Sequence, residues 1–359
     1  MPQPFIAGVD LFCGAGGLTY GLRKAGIFMV AGIDLDPACE YPFVQNNGAF
    51  FIEEDIRRLS ADNLAKLYPD GAIRLLAGCA PCQPFSPFRR GTDNSDDAKW
   101  GLLRELSRLV KEVSPELVTM ENVAGLASQS VFAEFLKTLD KLGYDTDWES
   151  VYCPRFGVPQ HRRRLVVLAS LLGPVKIPRG RLTPDRFKTV RDAIGSLRPL
   201  TAGGIDPRDA LHRARSVTEV NLRRLLASRP GGSWEEWPAE LRAACHKRKS
   251  GQTYKSVYAR MSWDEPAPTI TTQAYNFGTG RFGHPEQDRS ISLREAAVLQ
   301  SFPRRYRFVR TDEEISLARL GRLIGNAVPP QLGYYIGKEL VRTVWAREMT
   351  TPSRSRSAS

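Results

Sequence analysis

Short apolar segments alternate with amphipathic segments over the first half of the chain. The apolar runs that predict buried strands lie at residues 5–11, 28–33, 73–77, 117–120 and 165–169. Leucines and valines recur at helical spacing over residues 102–113, which predicts a helix that ends before Pro115. The alternation favours a mostly parallel α/β sheet with helices on both faces.

The pattern changes after residue 172. Residues 172–284 are rich in Arg, Pro, Gly and Trp and show little periodicity, which predicts a second, smaller and irregular domain. Helical patterns return at residues 289–302 and 332–345. The predicted order is a first domain at 1–172, the small domain at 173–284, a return to the first domain at 285–349 and a disordered tail at 350–359.

Charge and cysteine content narrow the class of protein. The 51 basic and 39 acidic residues give a net charge of +12, which suits nucleic acid or an anionic membrane surface, and equally a solvated basic surface without a specific partner. Six cysteines in a chain of 359 residues do not form a disulfide framework, and their spacing predicts no metal site. No signal peptide or bilayer-spanning run is recognised, so we expect an intracellular, soluble protein.

A glycine-rich turn, FCGAGG at residues 12–17, joins the first predicted strand to a helical segment. Glycines let the backbone turn sharply and approach a ligand closely, although a tight turn with only a structural role would show the same glycine pattern. Thr19 occupies the position where a dinucleotide fingerprint has its third glycine. Asp34 could accept the ribose hydroxyls of a nucleoside and Asp55 an adenine amine, whereas either acid alone would more often be a solvated loop residue.

The segment PCQPFS at residues 81–86 places a thiol on a loop after the predicted strand at 73–77. Ligands bind at the carboxyl ends of strands in open α/β sheets, and a thiol is intrinsically a strong nucleophile. Cys79 and Cys82 also form a CxxC pair, so a redox dithiol or an inert buried cysteine remains open.

Two further motifs border predicted strands. Glu121 follows the strand at 117–120, where its carboxyl group could hydrogen-bond a base edge. The basic run QHRRR at 160–164 precedes the strand at 165–169. Strand alternation would send Arg162 and Arg164 to one face, where arginines can hold a carboxylate, a phosphate or a base oxygen. A solvated loop acid and a solvated basic run are the alternatives.

The combination of motifs and their order is what identifies a family. The motifs are FCGAGG (12–17), PCQ (81–83), ENV (121–123), QHRRR (160–164), REAAVLQSFP (294–303) and GNAVPP (325–330). Over residues 10–345 this set resembles the DNA cytosine-5 methyltransferases of bacterial restriction-modification systems.

The resemblance implies an S-adenosylmethionine-dependent methyltransferase (Rossmann-like) α/β domain with a smaller, irregular target-recognition domain at 173–284. The GNAVPP motif would return to the large domain and complete the cofactor pocket. S-adenosylmethionine would be the cofactor and S-adenosylhomocysteine its product. The cofactor-binding residues implied are Phe12, Gly14, Gly16, Gly17, Asp34, Asp55, Leu103 and Asn326.

The resemblance also implies catalytic roles. Cys82 would attack carbon 6 of a flipped-out cytosine while Glu121 donates or shares a proton at N3, and Arg162 and Arg164 would position the base. The implied substrate-binding residues are Gln83, Ser86, Asn122 and Gln160. Residues 85–97, with Arg89 and Arg90, would form a lid, and the base-reading candidates in the small domain are Tyr254, Lys255 and Arg260.

The implied partner is double-stranded DNA, with a functionally paired restriction endonuclease that makes no stable contact. The implied state is a monomer in the bacterial cytoplasm, associated with the nucleoid and not with a membrane. A tRNA cytosine-5 methyltransferase on the same scaffold, a non-catalytic DNA-binding homologue and a thiol redox protein are the alternatives. If Cys79 lies close to Cys82, we expect mild sensitivity to oxidation.

Overall fold

The computed structural model describes residues 5–81, 96–248, 251, 253 and 255–350. The strands are β1 Ile6–Leu11, β2 Phe28–Asp34, β3 Phe50–Glu53, β4 Ile73–Gly78, β5 Leu117–Val123, β6 Asp145–Tyr152, β7 Arg163–Ser170, β8 Ile205–Asp206 and β9 Asp209–Arg213. The helices are α1 Gly17–Lys24, α2 Glu40–Asn47, α3 Ala61–Ala65, α4 Asp96–Val113, α5 Ser130–Lys141, α6 Val190–Ile194, α7 Glu219–Leu226, α8 Leu293–Leu299, α9 Leu317–Asn326 and α10 Pro330–Thr350. Within these ranges no helix is both long and apolar enough to cross a membrane.

The contacts divide the chain into two compact units. The first unit comprises Met1–Val151, Arg163–Pro178 and Leu332–Ser359, and the second comprises Tyr152–Arg162 and Arg179–Gln331. The sequence prediction returned the chain to the first domain at residue 285, whereas contacts group residues 285–331 with the second unit. The reason is that α8 packs against α6, β9 and α9. The functional domain boundaries themselves stay a prediction.

The first unit is built on a seven-stranded sheet in the order β3-β2-β1-β4-β5-β7-β6. The pairs β1–β2, β1–β4, β2–β3 and β4–β5 are parallel, and β7 is antiparallel to β5. The predicted α/β architecture with a mostly parallel sheet is therefore confirmed. The chain runs outward in opposite directions from β1 and β4, so a crevice opens at the carboxyl ends of these two strands, where ligands bind in such sheets.

The sheet forms because its inner strands are apolar on both faces. All six residues of β1 are buried, as are the first six of β5, which is typical of parallel strands covered by helices. The predicted helix at 102–113 is confirmed as the greater part of α4, and Leu106, Leu109 and Val110 are fully buried in the main core. Each such side chain contributes about 1.5–3 kcal/mol when removed from water.

Helix α10 packs closely on α1 within the first unit. A Cβ atom at Gly333 would lie 2.9 Å from the carbonyl oxygen of Leu18, and one at Gly337 would lie 2.6 Å from the Cβ of Ala25. Only glycine fits such a close approach, because protein interiors have no room for an extra methyl group. The two glycines, one helical turn apart, therefore let the late helix seat against the first.

The second unit is held by short elements and polar ties. Its apolar cluster contains Leu225, Trp234, Trp237, Leu241 and Phe277. Near α8, the fully buried Arg289 donates to both carboxylate oxygens of Glu295, at 2.7 and 2.8 Å. Ser292 caps α8 reciprocally with Glu295, so one carboxylate serves both the helix start and the ion pair.

Candidate active site

The glycine-rich turn after β1 forms an open cradle. Phe12, Gly14 and Gly16 have φ values of +58°, +53° and +84°, so the backbone there is left-handed. The carboxylate of Asp34 fixes this turn by accepting from the backbone N–H of Gly14 at 2.9 Å and of Asp36 at 3.0 Å. A Cβ at Gly14 would meet no atom within 4 Å. Burial raises the pKa of Asp34, which still retains lone pairs for hydroxyl groups.

The other residues predicted to bind the cofactor have varied surroundings. Both carboxylate oxygens of Asp55 are hydrogen-bonded by Arg57, which lowers the pKa of Asp55 to about 2. Leu103 is buried in the main core and borders a cavity of about 220 Å³ between α4 and α5. Asn326 is exposed at the end of α9, in the second unit. In the part of the chain that the structure describes, no three His, Cys, Asp or Glu residues converge to hold a metal ion.

Asp10 is a buried acid that the sequence analysis did not single out. It lies near the end of β1 with 1% of its surface exposed, and one oxygen accepts from the Thr19 hydroxyl at 2.6 Å. Its other oxygen has no hydrogen-bond partner among the described residues. Burial raises the pKa of Asp10 to about 7, against the opposing effect of the Thr19 hydrogen bond. The sequence signal that could have identified Asp10 is a single acidic residue within an apolar run.

Glu121 lies near the carboxyl end of β5 and is almost completely buried, with 2% exposed. The register pairs Val123 with Arg164 and Glu121 with Val166, so Glu121 and Arg164 are diagonal neighbours on one face. The Nε of Arg164 lies 3.0 Å from Oε1 of Glu121. The N–H does not point at that oxygen, so the contact is an ion pair without a well-formed hydrogen bond.

The end of β5 also holds the segment that leads toward Cys82. The thiol of Cys79 donates to Oε2 of Glu121 at 3.0 Å. The side-chain amide of Asn122 donates to the carbonyl oxygen of Ala80 at 3.2 Å. The two neighbouring residues on β5 therefore hold two successive residues of the segment after β4.

Gln160 and Arg162 are structural ties inside the second unit. The amide of Gln160 is fully buried and bonds Leu299, Gln300 and Ile270 at 2.8–3.1 Å. Arg162 is 3% exposed, and its guanidinium donates to the carbonyl oxygens of Ile270, Gly325 and Ala327. These contacts give Gln160 and Arg162 of the QHRRR motif a structural role within the second unit.

Arg162 and Arg164 do not belong to one strand. β7 begins at Arg163, so the alternation expected from the sequence does not extend back to Arg162. The division between the units also falls between Arg162 and Arg163, which leaves Arg162 with the second unit and Arg164 with the first. Arg164 binds Glu121, whereas Arg162 binds backbone carbonyls. The two arginines therefore make different contacts.

Several predicted residues lie outside the described residues or are already engaged. Cys82, Gln83, Ser86, the greater part of the predicted lid and Tyr254 fall outside the described ranges. Lys255 pairs with Glu235 at 3.1 Å. Arg260 is 4% exposed and donates to the carbonyl oxygens of Leu225, His284 and Gln287 and to Asp288. Arg260 is thus a structural tie, with no exposed guanidinium to read a base.

Comparison with known proteins decides the family. The sequence profile of the C-5 cytosine-specific DNA methylases matches residues 6–342. The chain belongs to this family. The Type II methylase M.HgiDII of Herpetosiphon aurantiacus is 48% identical over 337 residues, covering 93% of this chain and 94% of that protein. The Type II methyltransferase M.Sau96I of Staphylococcus aureus is 31% identical, covering 92% of this chain and 75% of that protein.

Solved structures share the fold. A prophage-encoded E. coli protein, described as a candidate DNA modification methyltransferase, aligns with a TM-score of 0.71 at 20% identity, covering 94% of this chain and 99% of that chain. The Dnmt2 methyltransferase of S. pombe aligns with a TM-score of 0.59 at 18% identity, covering 96% and 99%. The fold is thus that of the S-adenosylmethionine-dependent methyltransferases, and the family membership makes the chain a DNA cytosine-5 methyltransferase.

Proposed function

We propose that the enzyme transfers the methyl group of S-adenosylmethionine to carbon 5 of one cytosine within a specific duplex DNA sequence, with Cys82 as covalent nucleophile. The observation that carries the proposal is the buried Glu121, contacted by Arg164 and Cys79 beside the segment that leads to Cys82. Catalytic acids are expected at the carboxyl edge of an α/β sheet, and burial beside a charged partner is typical of them.

The glycine-rich turn fits the cofactor. Its left-handed backbone leaves space above Gly14, and Asp34 combines lone pairs for ribose hydroxyls with a position fixed by two backbone N–H groups. When bound, S-adenosylmethionine supplies a methyl group on a positively charged sulfur, which is open to attack by carbon. Phe12, Gly16 and Gly17 would complete the contact. Asp55 would take the adenine amine while it keeps its ion pair with Arg57.

The chain's own residues would supply the activation of the base. Carbon 5 of cytosine is a poor nucleophile, so Cys82 first adds to carbon 6 and forms a carbon–sulfur bond. Glu121 donates or shares a proton at N3, which takes up the electron pair and leaves carbon 5 electron-rich. After methyl transfer, carbon 5 loses its proton to a water molecule, the electrons of that bond re-form the double bond between carbons 5 and 6, Cys82 leaves as a thiolate, and N3 returns its proton to Glu121. Arg164 holds Glu121, and Arg162 acts in support by holding the backbone carbonyl groups of the second unit.

DNA binding would combine general and specific contacts. The net charge of +12 supports attraction to phosphates, which gives affinity that falls with salt. The cytosine must leave the helix before Cys82 can reach it, at a cost of a few kcal/mol. Residues 173–284 would read the sequence, with Asn122, Gln83 and Ser86 near the flipped base. Gln160, already bonded on all sides, would act by holding the neighbouring backbone.

The biological setting follows from the relatives. Both curated relatives described above are Type II methylases of bacteria. We propose that this enzyme likewise protects DNA from a restriction endonuclease of the same specificity, without stable contact between the two proteins. It would act as a monomer in the bacterial cytoplasm, at the nucleoid.

The decisive experiment measures transfer of a labelled methyl group from S-adenosylmethionine to unmethylated duplex DNA, followed by nucleoside analysis. We expect 5-methylcytosine with the wild type and none with Cys82→Ser. Cys245→Ser, at an exposed cysteine of the second unit, is the matched control and should retain activity. Labelling of tRNA in place of DNA would favour the tRNA enzyme, and activity that survives Cys82→Ser would refute the covalent mechanism.

A further inference from the structure

The thiol of Cys79 lies against the catalytic acid of the proposed reaction, and the mechanism above gives it no role. Its Sγ lies 3.0 Å from Oε2 of Glu121, while Arg164 contacts the opposite oxygen, Oε1. Glu121 is 2% exposed, so water cannot easily replace either contact. Among the described residues, Oε1 thus contacts a guanidinium and Oε2 contacts a thiol.

The sheet register fixes this contact. In the parallel pair β4–β5, Gly78, the last residue of β4, lies opposite Met120, so Cys79 directly follows β4 and Glu121 is the next residue of β5. The backbone N–H of Cys79 donates to the carbonyl oxygen of Leu11 at 3.3 Å, which anchors the residue to β1 as well. The position of Cys79 therefore follows from the end of β4 beside β5 and from its own backbone hydrogen bond to β1.

The two partners of Glu121 differ in what they can do when the acid gains a proton. A guanidinium only donates hydrogen bonds, so Arg164 favours the ionised carboxylate. A thiol has one weak donor and a weak acceptor, so it can donate to a carboxylate oxygen or accept from a carboxylic acid. A group that moves a proton on and off needs a neighbour that tolerates both states.

We propose that Cys79 is a positioning residue for Glu121, whose Oε2 it holds as a donor when the acid is ionised and as an acceptor when the acid is protonated. The inference rests on the proposed function, in which Glu121 handles the proton at N3. It assigns to the first cysteine of the CxxC pair a hydrogen-bonding role in place of a redox role. The hydrogen bond from the Asn122 amide to the carbonyl oxygen of Ala80 also holds the segment that precedes Cys82 in the sequence.

The test compares the kinetics of methyl transfer by Cys79→Ala and Cys79→Ser. Alanine removes both hydrogen-bond functions, so we expect kcat to fall about tenfold or more through loss of alignment, with KM for DNA little changed. Serine keeps a donor and an acceptor and should restore most of kcat.

The control is Cys153→Ala, at a buried cysteine of the second unit. It removes the same thiol group from a cysteine that takes no part in the Glu121 contacts described above, and it should leave kcat for methyl transfer unchanged. A Cys79→Ala enzyme with the kcat of the wild type would overturn the proposal. So would a Cys79→Ser enzyme as impaired as Cys79→Ala, because the hydroxyl preserves both hydrogen-bond functions.

A second measurement reads the contact without catalysis. Alkylation of Cys79, followed by peptide mass spectrometry at neutral pH, should be faster in Glu121→Gln than in wild type, since a neighbouring carboxylate disfavours the reactive thiolate. An unchanged alkylation rate would overturn the contact. Faster alkylation in Glu121→Gln together with a wild type that methylates no cytosine would instead refute the proposed function.

Discussion

The guanidinium of Arg164 and the carboxylate of Glu121 lie 3.0 Å apart because β7 runs antiparallel to β5 in a fixed register. The partners come from strands that are far apart in sequence, and the side chain of Glu121 is buried while that of Arg164 is 14% exposed. Removing one member of a buried pair leaves the other charge uncompensated, which costs more than the pair itself contributes. The acid therefore depends on the arginine for its charged partner and for its position.

Arg164→Ala should lower the free energy of unfolding by about 3 kcal/mol and reduce methyl transfer strongly. Urea unfolding and initial rates on duplex DNA measure the two effects. Arg163→Ala, at the exposed neighbour on the same strand, is the matched control and should change stability by less than about 1 kcal/mol. Equal effects of the two substitutions would show that the ion pair with Glu121 is not the cause of the lost stability and activity.

The buried acid Asp10 should make stability depend on pH. Its pKa is raised by burial from 3.8 to about 7, so the folded state keeps a proton that the unfolded state has lost. Stability should then fall as pH rises from about 4 to about 7, by up to about 4 kcal/mol. Asp10→Asn should remove this fall in urea midpoints measured from pH 4 to 8, whereas the exposed Asp70→Asn should not. Parallel curves for wild type and Asp10→Asn would contradict the assignment.

Glu295 should make stability depend on pH in the direction opposite to Asp10. Burial opposes its ionisation, but the hydrogen bonds and charge of Arg289 outweigh burial and lower its pKa to about 2. The stabilisation is therefore present above about pH 4.5 and is lost as pH falls toward 2. Glu295→Gln should cost about 3 kcal/mol at pH 7, with a smaller difference from wild type near pH 2. Acid titration by circular dichroism checks this, with the exposed Glu286→Gln as control.

Gly14→Ala should weaken cofactor binding more than it weakens the fold. The Cβ would enter open space at a φ of +53°, so the strain is about 1 kcal/mol, and the methyl group would occupy the cradle. We expect a raised Kd for S-adenosylmethionine by calorimetry. Gly48→Ala, at a φ of +57° after α2, carries similar strain and should leave the Kd unchanged. A rise in Kd in both variants would show that backbone strain, and not the methyl group in the cradle, weakens cofactor binding.

The sequence predicted the inner strands of the sheet because they are continuous apolar runs. It did not reveal β6, an edge strand with the sequence DTDWESVY, in which Val151 is the one fully buried residue. Asp145 and Asp147 accept from the backbone N–H groups of Val175 and Ile177, contacts that depend on tertiary position and leave no periodic signal. Hydrophobic patterning reports burial, so a polar edge strand escapes it.

The site was predicted in its residue types more than in its contacts. Glu121 and Arg164 were each predicted as site residues beside a buried strand, but their contact was not predicted, and it follows from the register of β5 and β7. Arg162 was expected beside Arg164, but its carbonyl partners at Gly325 and Ala327 come from a segment far away in sequence. The contact between Cys79 and Glu121 could have been inferred from the two predicted strands at 73–77 and 117–120, had they been taken as parallel neighbours in the sheet.

The seating of α10 on α1 has a consequence for synthesis of the protein. The ridge formed by Leu18, Leu22 and Ala25 is covered by Gly333 and Gly337, which are synthesised long after it. Contacts between distant parts of a chain form slowly, since a long loop must close first. During translation α1 therefore stays partly uncovered until α10 has been synthesised, and we expect the nascent chain to engage chaperones until α10 emerges.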